Sequence, residues 1–111
     1  MTVQTITVPV DPTAEVTVSA TTGKLDVLQG IVGGYIQAVG VGNVTIYLDE
    51  EGKLKGKEIN VRATKLAHRL KLISILDSIV GDAVVLGFDY ESGEHRDAPG
   101  CVLTYLEDVR I

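Results

Sequence analysis

Seven of the chain's ten lysines and arginines fall within nineteen consecutive residues: Lys53, Lys55, Lys57, Arg62, Lys65, Arg69 and Lys71, against Glu58 alone. The flanks are acidic. Residues 1–52 carry Lys24 against Asp11, Glu15, Asp26, Asp49, Glu50 and Glu51. Residues 72–111 carry two bases against eight acids, so net charge runs −5, +6 and −6 along a chain whose total is −5. At 100° per residue, a helix starting at Asn60 sets Arg62, Lys65 and Arg69 within about 60° of one another. That basic stripe borders an apolar face made by Ala63, Leu66, Ala67 and Leu70. The unpaired N–H groups and positive dipole end of such a helix attract phosphate or carboxylate. Arg62 in the first turn is unfavourable there unless an anion stands nearby. Either Asp49, Glu50 or Glu51 supplies it from within the chain, or an external anion does. Lys57 approaches the same end, and Tyr35 offers a ring for stacking. Asn60, Arg62, Lys65, Arg69, Tyr35 and Lys57 are therefore the candidate ligand-binding residues.

Other chemistry has less support. His95 lies near Glu94 and Asp97, six residues before Cys101. Nucleophilic catalysis also needs a base within hydrogen-bond reach of the nucleophile and a third group to orient it, which spacing alone does not supply. His68 sits among basic residues inside the expected helix. A loop histidine and a small apolar cysteine are the expectation, with no catalytic residue assigned. Asp89, Glu91, Glu94, His95 and Asp97 match no zinc or calcium spacing, so no metal or cofactor is expected. Gly33-Gly34 and Gly40-Val41-Gly42-Asn43 lack the sequence and placement of a phosphate-binding or dinucleotide-binding loop, and read as turns.

Several blocks in fixed order carry a family resemblance. They are Gly33-Gly34-Tyr35-Ile36-Gln37-Ala38-Val39, Asp49-Glu50-Glu51-Gly52-Lys53-Leu54, Asn60-x-x-Ala63-Thr64 and Ile79-Val80-Gly81-Asp82. Over about residues 30–88 the chain resembles a small family of uncharacterised domains common in bacteriophages and prophage-carrying bacteria. Gln37, where an acidic residue is expected, and a longer segment at 71–78 depart from its pattern. The resemblance implies an α+β domain and a phage accessory gene, with no activity to transfer. The function expected is non-enzymatic capture of a small anionic ligand, a nucleotide signal by analogy with phage accessory proteins. The alternative is a protein–protein inhibitor or homo-oligomeric module acting on an acidic host protein.

The elements that must position these residues are those of one small domain. The 111 residues are one domain's length, 45% of them hydrophobic and 23% charged, which opposes disorder. Overall acidity and the lack of a helix-turn-helix or zinc pattern oppose nucleic-acid binding. No run is long enough for a membrane span, residues 1–5 lack signal-peptide character, and one cysteine forms no internal disulfide. A cytoplasmic location follows as the expectation, the host's cytoplasm for a phage-borne gene.

Alternation predicts strands at 2–8 and 15–20, joined as a hairpin through Pro9-Val10-Asp11-Pro12. A helix capped by Thr21 or Thr22 is expected to end at Gly33-Gly34. Strands at 35–39 and 44–48 follow, with Lys53-Leu54 starting a return. The helix from Asn60 reaches Leu70 or continues toward Leu76. The apolar run 83–88 reads as a central strand, 89–100 as a mobile loop, and 101–111 as a short helix or an edge strand. In that last helix Val102, Tyr105, Leu106 and Val109 would share a face, and Thr104 with Glu107 could form a capping box. The fold class is α+β: a small mixed or antiparallel sheet with two to three helices and an N-terminal β-hairpin.

Overall fold

A computed structural model describes residues 2–41 and 43–108. The chain runs β1 (Val3–Val8), β2 (Thr17–Thr21), α1 (Leu25–Val32), β3 (Ile36–Val41), β4 (Val44–Asp49), α2 (Val61–Arg69), β5 (Ala83–Asp89), β6 (Glu94–Arg96) and α3 (Gly100–Asp108). All pairings within the six-stranded sheet are antiparallel, in the order β2-β1-β5-β4-β3. Gly87 of β5 pairs with both Val44 of β4 and Arg96 of β6, so β6 continues the edge that β1 occupies. The expected α+β class and N-terminal hairpin are present.

β5 is apolar from Ala83 to Phe88 because both of its faces are covered over most of that length. Val84 and Leu86 pack with Leu28 and Val32 of α1. Ala83 and Val85 pack on the opposite face with Ala63, Leu66 and Ala67 of α2 and Val102 and Leu106 of α3. Burial of a strand on two sides removes the in–out alternation that otherwise marks it.

Boundaries depart from expectation where local bonding overrides periodicity. β1 and β2 pair as foreseen, and Thr5 and Thr21 share a 2.7 Å hydroxyl hydrogen bond across them. With Thr21 thus engaged in the sheet, Lys24 is the residue that precedes α1. α1 ends at Gly33, whose φ of 81° and N–H bond to Gln29 O form a left-handed cap. α2 stops at Leu70. There Lys71 turns left-handed (φ 59°), its N–H donates to His68 O, and the Leu72 N–H donates to Ala67 O. These two bonds make a Schellman closure on a non-glycine residue.

No return strand starts at Lys53-Leu54. The chain turns through 50–56 and makes only an isolated bridge between Ile59 and Val80. Residues 94–96, expected in a loop, form β6. Residues 100–108 form a helix rather than an edge strand. Thr104 lies inside it, donating to Gly100 O, so it is not the cap of that helix; the Glu107 side chain, Val109 and Gly42 lie outside the described residues. Among the described residues no helix is long and apolar enough to cross a membrane.

Candidate functional site

The start of α2 has the expected cap, and its donors are used by the fold. Asn60 is fully buried. Its Oδ1 accepts from Ala63 N at 3.0 Å, while Nδ2 donates to Val8 O at 2.8 Å and Gly81 O at 2.9 Å. One side chain thereby ties the helix start to the end of β1 and the approach to β5. Arg62 is 8% exposed, and its Nη2 donates to Pro9 O and Asp11 O, both at 2.9 Å. Asp49, Glu50 and Glu51 are not what receives Arg62 Nη2. The carbonyls of the β1–β2 turn do.

The internal counter-charge serves Lys55 and Lys57 instead. Asp49, at the end of β4, has a side chain with no solvent exposure. Its Oδ2 receives Lys55 Nζ at 2.8 Å and Lys57 Nζ at 2.7 Å, and its Oδ1 receives Glu51 N at 2.8 Å. The two ammonium groups, Lys55 first, hold the carboxyl far below the usual carboxylate range against the opposing effect of burial. Lys57 Nζ also donates to Val32 O at 2.9 Å, closing the C-terminus of α1. Gly34 lies flush on this cluster, where a Cβ would stand 2.7 Å from Lys55 Nζ and 2.9 Å from the carboxylate oxygens.

Of the remaining candidates, Tyr35 is 67% exposed and its carbonyl accepts from Glu50 N. Lys65 and Arg69 lie on the exposed side of α2. The six residues do not converge. Asn60 and Arg62 turn inward to β1 and its following turn, Lys57 turns toward α1, and Tyr35, Lys65 and Arg69 face solvent.

A second helix start has the features that α2 lacks. No side chain caps α1, and Lys24, exposed and extended (φ −74°, ψ 155°), stands at its entry. The turn leading into α1 borders a cavity of about 510 Å³ lined by Thr22, Gly23, Lys24, Glu94, His95, Arg96 and Asp97, among others, none of them from α1 itself. Gly23 is left-handed (φ 68°), and a Cβ there would lie 3.0 Å from His95 Nδ1, so glycine lets the imidazole rest against the backbone. Beneath the cavity, Tyr47 of β4 and His95 of β6 are joined at 2.7 Å through Tyr47 Oη and His95 Nε2. The His95 ring sits edge-on to Tyr47 and to Phe88, which in turn meets Tyr90.

Burial lowers the His95 pKa, opposed by a hydrogen bond to the Gly23 backbone. Burial also raises the Tyr47 pKa, aided by Tyr90. Both shifts favour neutral forms, so the Tyr47–His95 hydrogen bond joins a neutral phenol to a neutral imidazole. A phenol held neutral is not an activated nucleophile, and of the two residues it is His95 that lies on the cavity wall. Arg96 on the same wall is shared between Asp89 Oδ2 at 3.1 Å and Glu94 Oε2 at 3.2 Å. Asp97 Oδ1 accepts from Gln4 N at 2.7 Å, pinning β6 to β1. Among the described residues no group of three or more His, Cys, Asp or Glu is placed to hold a metal ion.

Comparison with known families decides the chain's membership. It belongs to the family described as Domain of unknown function (DUF3846). The family model matches residues 4–109, extending beyond the 30–88 core of the resemblance to take in the β1–β2 hairpin and α3. No curated protein and no solved structure matches the chain. The α1 entry is not among the candidates the sequence offers, because Thr21 and Thr22 read as caps. The available signal was Gly23-Lys24 standing between a strand and a helix, where turned backbone N–H groups and a lysine meet.

Proposed function

We propose that this DUF3846 domain is a non-enzymatic binding protein that captures a small anionic ligand of nucleotide class at the entry of α1. The observation that carries the reading is a cavity of about 510 Å³ at the turn into α1, with Lys24 on its wall and the uncapped helix start beside it. That volume falls within the roughly 300–1,000 Å³ of small-molecule sites. A phosphate at the Lys24 side of the cavity meets that ammonium, beside the positive end of the α1 dipole. His95, backed by Tyr47, offers an aromatic edge for the remainder of the ligand. In the phage accessory role that the sequence resemblance implies, the ligand is a signalling nucleotide of the host.

The test is thermal unfolding against nucleotides, cyclic dinucleotides and sugar phosphates. A ligand at a hundred times its dissociation constant adds about 2.7 kcal/mol, a melting shift on the order of 10 °C for a domain of this size. The shift is expected to disappear in Lys24→Ala and to persist when Lys65 and Arg69 are both replaced by alanine. No shift across the panel, or one that survives Lys24→Ala, overturns the reading.

A further inference from the structure

Histidine is the side chain that changes charge near physiological pH, and one of the chain's two, His95, lies on the wall of the cavity at the turn into α1. The other, His68, is on α2, where its Nε2 meets Asp77 O at 2.9 Å. The fold places both nitrogens of the His95 ring. Nε2 stands 2.7 Å from Tyr47 Oη, and Nδ1 lies against Gly23, whose backbone hydrogen-bonds the ring. A protonated imidazole carries N–H on both nitrogens, and a phenol oxygen can accept as well as donate. The ring can therefore take up a proton without leaving Tyr47 or Gly23. The groups around it offset one another. β6 brings Glu94 and Arg96, paired at 3.2 Å, and Asp97, whose Oδ1 accepts from Gln4 N. The turn into α1 brings Lys24, and the approach to β1 adds only the uncharged Thr2 and Val3. β4 brings the Tyr47 phenol, and β5 brings the Phe88 ring with Tyr90 behind it and Asp89, which holds Arg96. The cavity wall thus carries two acids and two bases.

We infer that His95 is the proton-linked residue of this site: an oxyanion entering the cavity binds with uptake of one proton from solvent onto the imidazole, so capture tightens as pH falls. The inference rests on the anion site proposed above and adds its regulation. Burial keeps the ring neutral in the free protein. A bound dianion sets opposite charge beside the ring on the cavity side, which favours the protonated form. Linkage makes the effect reciprocal: the factor by which the anion raises proton affinity is the factor by which the proton raises anion affinity. Tyr47 does not share in the titration, because burial holds its phenol neutral through this range.

Proton NMR of the two histidine rings over about pH 4.5–8.5 tests this, with either His68→Gln or His95→Gln assigning the signals. The full chain is titrated in sodium sulfate and in sodium chloride at one ionic strength of about 0.15 M, so that screening is equal. Sulfate stays a dianion throughout. The His95 midpoint is expected to stand at least about half a unit higher in sulfate, equivalent to about threefold tighter sulfate binding by the protonated protein. His68, outside the cavity, is the internal control and should stay in place. In the same samples the amides of residues 22–24 and 93–97 report whether sulfate is bound. If they move while the His95 midpoint is the same in both salts, the proton link is overturned and the anion site stands. An equal rise at both histidines overturns the link as well. Silent amides with an unmoved midpoint overturn it and count against the site on which it rests.

Discussion

Asp49→Asn is the sharpest perturbation of the fold's electrostatics. The carboxylate is wholly buried, yet its two ammonium partners are not: the Lys55 and Lys57 side chains are 41% and 27% exposed. Removing one member of a buried ion group costs about 3–5 kcal/mol when the orphaned charge stays buried. Here both lysines can swing toward water, which relieves that part of the penalty. What remains is the loss of charge-assisted hydrogen bonds at roughly 1.5–3 kcal/mol, partly offset because the asparagine oxygen still accepts from Glu51 N. A net loss of about 2 kcal/mol follows, a fall in melting temperature of about 8 °C.

The pH dependence has a definite sign. The folded-state pKa lies below the unfolded value near 3.9, so the stabilisation is complete above that value and is lost as pH falls through the folded-state pKa. Urea unfolding of both proteins at pH 7, 5 and 3 should show a constant gap at the first two and a smaller one at the third. A gap under about 0.5 kcal/mol at pH 7, or one that widens on acidification, refutes the reasoning.

Three further outcomes are expected. Lys71→Gly relieves a left-handed lysine at the end of α2 and should raise stability by about 1 kcal/mol, read as an upward shift in the urea midpoint without change in slope. Gly87→Ala places a Cβ 2.3 Å from Asp97 O and should destabilise by about 1–3 kcal/mol, detectable by thermal unfolding, because backbone rather than a flexible side chain must yield. The folded state disfavours protonated His95, so stability should decline as pH falls from 7.5 to 5.5. His95→Gln should flatten that slope in unfolding at the two pH values, and an undiminished slope would assign it elsewhere.

What was legible in the sequence was what depends on local pattern. Asn60 reads as a cap from its type and its place before Ala63, Leu66 and Ala67, and it is one. The 83–88 run reads as a central strand because a segment buried on both faces has no polar positions. β6 was not legible: Glu94-His95-Arg96 has no apolar alternation, and its pairing depends on Gly87 and on the Asp97–Gln4 hydrogen bond. The end of α2 was ambiguous for a related reason, since lysine at 71 gives no glycine-like stop signal while apolar residues continue beyond it. The largest displacement concerns the site. Asn60 and Arg62 have the residue types for holding an anion, yet Val8, Pro9 and Asp11, some fifty residues earlier, supply the oxygens they bind. Only tertiary structure reveals that competition. The open helix start belongs to α1, where the sheet takes Thr21 and leaves Lys24 at the entrance.

The location of the anion is the central claim, and amide chemical-shift mapping tests it most directly. Titrating the ¹⁵N-labelled chain with the nucleotide giving the largest thermal shift should move the signals of Gly23, Lys24, Leu25 and Asp26 together with those of residues 93–97. The amides of residues 60–69 should stay in place. Movement confined to the start of α2, with the α1 entry silent, would contradict the account and return the site to Arg62.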